Sequence, residues 1–199
     1  MIQLPSFSAA VLPLCIFSLH FAAPSAQAAD NLLPEGNMET VDGKGLPEGF
    51  NHPDPNWLSG FKAVVSVAGE EGNNFLRFEV PTTEGLVAST ADLPVPEGAK
   101  EIRVAWKVRA NVKEVSENTD QSGRGVCLIV TWFSEPEGTE NRGYKHGVID
   151  QTTESTDGWK DKEVTLPVPE GKKFMTISIG TKGTAATADF DDVVIEALQ

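Results

Sequence analysis

The chain has 199 residues, with 29 acidic against 16 basic side chains and a formal net charge of −13. Binding to phosphate backbones or anionic membrane surfaces needs clustered Lys and Arg, so this balance argues against nucleic-acid and membrane-surface partners and favours neutral over acidic polymers. No stretch after residue 28 approaches the roughly 18 apolar residues of a membrane span.

Residues 1–28 carry no Lys, Arg, Asp or Glu. An apolar run at residues 9–23, AAVLPLCIFSLHFAA, is followed by Ala26-Gln27-Ala28, a small-x-small cleavage pattern. This reads as a secretory signal peptide cut near Ala28. The expected product is a secreted or periplasmic protein whose residues 29–199 form one domain. In that domain Cys127, within the apolar run GVCLIVTWF, has no partner for an internal disulfide and is expected to be a packing residue.

From residue 29 onward the pattern predicts strands and no amphipathic helix. Short segments rich in Val, Ile, Thr and aromatics are punctuated by Gly, Pro, Asn and Asp, as in an all-β sandwich. Strands are predicted at residues 63–67, 75–80, 86–93, 101–111, 126–133, 162–166, 174–179 and 188–197. In EIRVAWKVRA, Ile102, Val104, Trp106 and Val108 share one face and Arg103, Ala105, Lys107 and Arg109 the other. In KFMTISIG, Met175, Ile177 and Ile179 oppose Phe174, Thr176 and Ser178. The first set of each is expected in the core, the second toward solvent or a ligand. Residues 112–125 read as a surface loop. Residues 134–159 read as a turn, a short strand at 144–150 and a second turn.

The hexapeptide LPVPEG occurs at residues 93–98 and again at 166–171. Each copy follows one predicted strand and precedes another, and little outside the copies matches. One turn device used twice, with Gly at positive φ, accounts for them better than a tandem duplication does.

The C-terminal features are Trp159, a strand, a Pro-Glu-Gly turn, the strand at 174–179, the Gly-rich 180–183 and Asp191-Asp192-Val193 before an apolar strand. At the start stand NLLPEGNMET (31–40), with Met38, and LPEGF (46–50), with Phe50. In the middle, VAGEEGNNFLRFEV supplies a Gly turn and a strand. This series resembles the carbohydrate-binding modules of families 4, 9 and 22, with Met38 where the family usually has an aromatic and Phe50 where it usually has Trp. The resemblance implies a galactose-binding-like β-jelly roll of two antiparallel sheets. It also implies a structural Ca²⁺ held by Glu39 and Asp191 or Asp192, since carboxylates and backbone carbonyls are the oxygen ligands calcium takes.

The resemblance further implies a polysaccharide or oligosaccharide site on the concave sheet face. Sugar recognition needs flat aromatic faces and planar polar side chains. The candidates are Phe133, Arg142, Tyr144, His146, Thr176, Trp57 at the rim, and Trp132, which shares the parity of Val126, Leu128 and Val130. Tyr144 with Arg142, in NRGYKHG, is the foremost pair. Trp106 and Trp159 are expected to be structural. Residues 29–199 hold only His52 and His146 and lack a nucleophile elbow, a P-loop or a His-Glu-x-x-His pattern. The expectation is a non-catalytic module that binds a neutral polysaccharide of β-glucan or xylan type, beside a separate carbohydrate-active enzyme. The alternatives are a structural or protein-interaction jelly roll, and a small jelly-roll polysaccharide lyase or glycoside hydrolase.

Overall fold

A computed structural model describes residues 31–117 and 123–199. The expected signal segment 1–28 and the proposed cleavage site lie outside these described residues. In chain order come β1 (Phe50–Asn51), α1 (Pro55–Phe61), β2 (Val64–Glu70), β3 (Asn73–Val80), β4 (Gly85–Thr90), β5 (Leu93–Pro94) and β6 (Glu101–Val115). They are followed by β7 (Gly125–Phe133), β8 (Lys145–Thr152), β9 (Lys160–Pro167), β10 (Phe174–Lys182) and β11 (Thr184–Leu198). One sheet runs β1-β4-β10-β7-β8, with β5 also paired to β10, and the other runs β2-β3-β11-β6-β9. All pairings are antiparallel, and the architecture is a β-sandwich jelly roll.

Period-2 alternation builds the core. Met175, Ile177 and Ile179 of β10 are each 0% exposed and meet Val126, Leu128, Val130 and Trp132 of β7 in one buried cluster. The facing sheet contributes Ile102, Val104, Trp106 and Val108 of β6 to the same cluster, as their alternation predicts. Phe78 and Phe190 meet edge to face, centroids 5.8 Å apart, a geometry that adds to their area burial. In β11 a bulge between Asp191 and Val194 inserts an extra residue and puts Asp192 at φ 47°. The bulge resets the parity, so that Phe190 before it and Val193 and Ile195 after it are all buried.

The N-terminal segment closes one end. Asn31 Oδ1 accepts from the amides of Leu33 and Ile195, at 3.1 and 2.8 Å, which anchors the segment to β11. Leu33 and Met38 are both fully buried, so Met38 fills the core position where the resemblance expects an aromatic. Gly36 packs so closely on β11 that a Cβ there would fall 1.8 Å from the carbonyl oxygen of Val193.

The strands of 101–111 and 144–150 run further than predicted, to Val115 and Thr152, and 86–93 divides into β4 and β5. The sequence reading missed α1 altogether. Seven residues are too few to show helical periodicity, but its boundary signals are present. Asp54 caps the start by accepting from the Asn56 amide at 2.7 Å, Pro55 occupies the first turn, and Lys62 ends the helix in the left-handed region.

Both LPVPEG copies carry the chain from one sheet to the other. The first joins β5 to β6 and the second joins β9 to β10, in the opposite sense. Each folds as the same turn: the Ala99 amide donates to Pro96 O and the Lys172 amide to Pro169 O, both at 3.1 Å. The copies also hold each other's flanks, because Val95 N donates to Lys173 O and Val168 N to Lys100 O, both at 2.8 Å. Gly98 and Gly171 take φ of 81° and 72°. A side chain in that region costs about 1–2 kcal/mol. Gly98→Ala and Gly171→Ala are each expected to lower unfolding free energy by about that amount in urea titrations, because nothing else crowds either site.

Candidate functional site

The residues that alternate with the core on the first sheet form the floor of an open groove of about 500 Å³. β10 contributes Thr176 and Ser178, β7 contributes Ile129, Thr131 and Phe133, and β4 contributes Val87 and Ser89. His146 on β8 lies along one side, and Phe61 at the end of α1 also lines the groove. The strand register places the polar groups in pairs. Ser178 stands opposite Ser89, their hydroxyl oxygens 2.7 Å apart. Thr131 stands opposite His146, with Thr131 Oγ1 3.0 Å from His146 Nδ1. Tyr144 is 68% exposed and meets the His146 ring edge to face at 5.3 Å.

The groove is apolar with scattered hydroxyls, and the charged residues lining it are Glu84 and Lys182, of opposite sign. A site of this kind offers no net field to an ionic ligand, while it presents both hydroxyl partners and apolar surface to an uncharged one.

The sequence-predicted residues divide. Phe133, His146 and Thr176 line the groove, and Tyr144 stands beside it against His146. Trp132 is corrected: at 4% exposure it points into the inter-sheet core with Met175 opposite, as its parity with Val130 requires. Trp57 lies on α1, and its side chain is outside the described residues. Arg142 does not project into the groove. Its guanidinium lies over the Phe133 ring, 3.7 Å from the centroid, and bonds both carboxylate oxygens of Asp92. Sequence reasoning missed Phe61, Ser89, Ile129 and Thr131 as groove residues. Thr131 and Ile129 were legible from the parity they share with Phe133, whereas Phe61 depends on the unpredicted helix.

The outer face of the other sheet is covered by ion pairs. Asp189, only 3% exposed, binds both Arg77 at 2.7 Å and Arg109 at 2.9 Å, and Arg109 also reaches Glu70. Both guanidinium groups lie over Phe75, and Arg109 lies over Trp159 as well, at 4.8 Å. Trp159 is therefore part of this cluster and meets Phe75 edge to face, centroids 5.4 Å apart. The hydrogen bonds that Arg77 donates to Asp189 raise the pKa of Arg77.

At the β11 bulge the two neighbouring aspartates diverge. Asp192 pairs with Lys107 at 2.7 Å. Asp191 is 3% exposed and accepts from Asn73 Nδ2 and the Asp192 amide, both at 2.7 Å. Burial nonetheless raises its pKa above the usual aspartate value. Glu39 accepts from the amide of Asn74, so Glu39 and Asp191 both reach the start of β3. Among the described residues no three His, Cys, Asp or Glu side chains converge as a metal cluster. Cys127 is 2% exposed, and burial pushes its thiol up to about 12, away from the thiolate form. His52 pairs with the partly exposed Asp42, whose pKa is lowered to about 2, mainly by the Leu46 amide and then by His52.

No family model matches the chain, and neither does any curated protein. Solved structures do match its fold. It aligns over 86% of its length, at 15% identity and a TM-score of 0.54, with 28% of the chain holding the CBM22-1 and GH10 modules of Clostridium thermocellum endo-1,4-β-D-xylanase 10B, complexed with xylohexaose. It aligns over 88% of its length, at 14% identity and a TM-score of 0.52, with 99% of the CBM22-1 xylan-binding domain of Paenibacillus barcinonensis Xyn10C. The chain has the fold of a carbohydrate-binding module. It also covers 18% of the enzymatically active domain of bacteriophage CBA120 tailspike protein 4, at 10% identity and a TM-score of 0.46. The carbohydrate-binding-module fold was the expectation drawn from Trp159, the Pro-Glu-Gly turn and the Asp-Asp-Val ending.

Proposed function

We propose that this protein is an exported, non-catalytic module that binds a neutral polysaccharide of β-glucan or xylan type in the groove over β4, β10, β7 and β8. The groove itself carries this reading: a floor of about 500 Å³ in which paired hydroxyls alternate with apolar side chains, next to the rings of Phe133 and Tyr144. Sugar C–H faces would lie on the apolar positions, and ring hydroxyls would exchange bonds with Ser89, Ser178, Thr131 and Thr176. The two xylanase-derived structures, one named for xylan binding and one complexed with xylohexaose, lend weight to xylan as the first ligand to try.

A binding role suits the site better than catalysis. The hydroxyl of Thr131 does face His146, yet among the described residues no carboxylate is bonded to His146 to orient it. A hydroxyl and an imidazole without that third group lack the full triad, in which the acid orients the base and stabilises its protonated form. A module of this kind would act by keeping its polymer close to a separate carbohydrate-active enzyme.

Calcium belongs to the same reading, held by Glu39 and Asp191 with backbone carbonyls, while Asp192 remains with Lys107. A cation beside Asp191 would offset the burial that disfavours its charged form.

Affinity electrophoresis against soluble xylan, mixed-linkage glucan and mannan tests the main proposal. Retardation by xylan or glucan is expected, and Phe133→Ala should weaken it by about 1–3 kcal/mol, the range of a lost aromatic contact. No retardation on any gel, or release of reducing ends during the run, would refute it. For calcium, EDTA is expected to lower the melting temperature and added Ca²⁺ to restore it, with Asp191→Asn abolishing the response. An unchanged melting temperature removes calcium from the account.

A further inference from the structure

Asp92 and Lys172 hold matching places around the two LPVPEG copies. Asp92 directly precedes the first, and Lys172 directly follows the second. Each fastens the segment that links β7 to β8. The Asp92 carboxylate accepts from Arg142 Nη2 at 2.5 Å and from the backbone amide of Glu137 at 2.7 Å. Lys172 Nζ donates to Ser134 Oγ at 3.1 Å and to the carbonyl oxygen of Gly143. The base of the segment is closed by the Ser134 amide, which donates to Arg142 O at 3.0 Å. Arg142 Nε donates to Glu135 O at 3.2 Å, and its guanidinium plane covers Phe133.

The paired crossovers that close the sandwich therefore also set the end of the groove. We propose that Arg142 is a positioning residue: clamped by Asp92, it holds the Phe133 ring and the rim segment 134–144 in their binding geometry, and it does not itself bond the ligand. The proposal rests on the groove being the polysaccharide site. Arg142 and Asp92 side chains are 21% and 13% exposed, so water and salt screen this pair less than an ordinary surface pair. The same guanidinium stacks on the Phe133 ring, bonds the Asp92 carboxylate through Nη2 and bonds Glu135 O through Nε, tasks that a lysine ammonium cannot perform together. A rim fixed before binding spares the ligand the entropy of ordering it, which is how residues that never touch a ligand raise affinity.

Amide hydrogen exchange over residues 134–144, combined with xylohexaose titrations, tests the clamp in the full chain. Asp92→Asn and Arg142→Ala are each expected to speed exchange at Ser134, Glu137 and Thr139 while leaving β10 and β11 protected. Both should weaken xylohexaose by a similar factor, about tenfold, or roughly 1.4 kcal/mol. The double variant should bind no more weakly than either single one, because both remove the same restraint. Arg142→Lys should recover part of the protection and part of the affinity. Lys172→Met, which cuts the second fastening, is expected to speed the same amides and provides an independent arm if Asp92→Asn does not fold. Unchanged exchange in both Asp92→Asn and Lys172→Met would overturn the clamp. So would full affinity in Asp92→Asn beside its loss in Arg142→Ala, since that would place Arg142 on the ligand. A wild-type chain that binds no sugar would refute the groove as a sugar site, and the exchange pattern would still decide whether the clamp exists.

Discussion

The two-sidedness of β10 is the constraint on which the rest of the structure depends. Met175, Ile177 and Ile179 are fully buried against the facing sheet, and the residues between them, Thr176 and Ser178, form the floor of the groove. A strand's period of two allows no partial adjustment, so a slip of one residue would turn the hydroxyls into the inter-sheet core and the core set outward. Pairing with β7 on one side and β4 on the other fixes the register. The floor is consequently as rigid as the core beneath it, and its hydroxyl pairs sit where the ladder puts them.

The two faces of the sandwich use polar residues in contrasting ways. On the β2-β3-β11-β6-β9 sheet the outward side chains satisfy one another: Asp189 holds two arginines, and those arginines cover Phe75. Such a surface has few unspent donors to offer. On the groove face the outward residues are small or apolar, and the two charged ones have opposite sign. Net charge is thus a poor guide to the site: the excess of acids over bases resides elsewhere, and the groove itself is close to neutral.

Much of this was legible in the sequence because it is local. Alternation in EIRVAWKVRA and KFMTISIG identified two interior strands, β6 and β10, and their buried faces, and Trp106 is in the core as its parity required. The repeated LPVPEG was recognisable as a turn from its prolines and glycine, and both copies fold as one. That they cross between the sheets and brace each other was not legible, because those bonds join residues far apart in the chain. Arg142 illustrates the same limit. As a donor in a Gly-flanked aromatic segment it resembled a ligand contact, and only tertiary structure brings Asp92 within hydrogen-bond reach of its guanidinium. Trp132 was ambiguous for a different reason: in GVCLIVTWF apolar residues occupy both faces, so alternation alone could not say which side contacts a ligand. Cys127 and Ile129, on the parity of Thr131, are apolar and little exposed on the outer side of this strand, and Ile129 lines the groove.

The central claim is that a neutral polysaccharide lies on this face. The most direct measurement is a ¹H–¹⁵N chemical-shift titration of the chain with xylohexaose. The account predicts saturable shifts concentrated at Ser89, Ile129, Thr131, Phe133, Thr176 and Ser178, with little change at Arg77, Arg109 or Asp189. Shifts centred on the Arg77–Asp189–Arg109 face, or no saturable shift with xylohexaose or with a mixed-linkage glucan oligosaccharide, would contradict it.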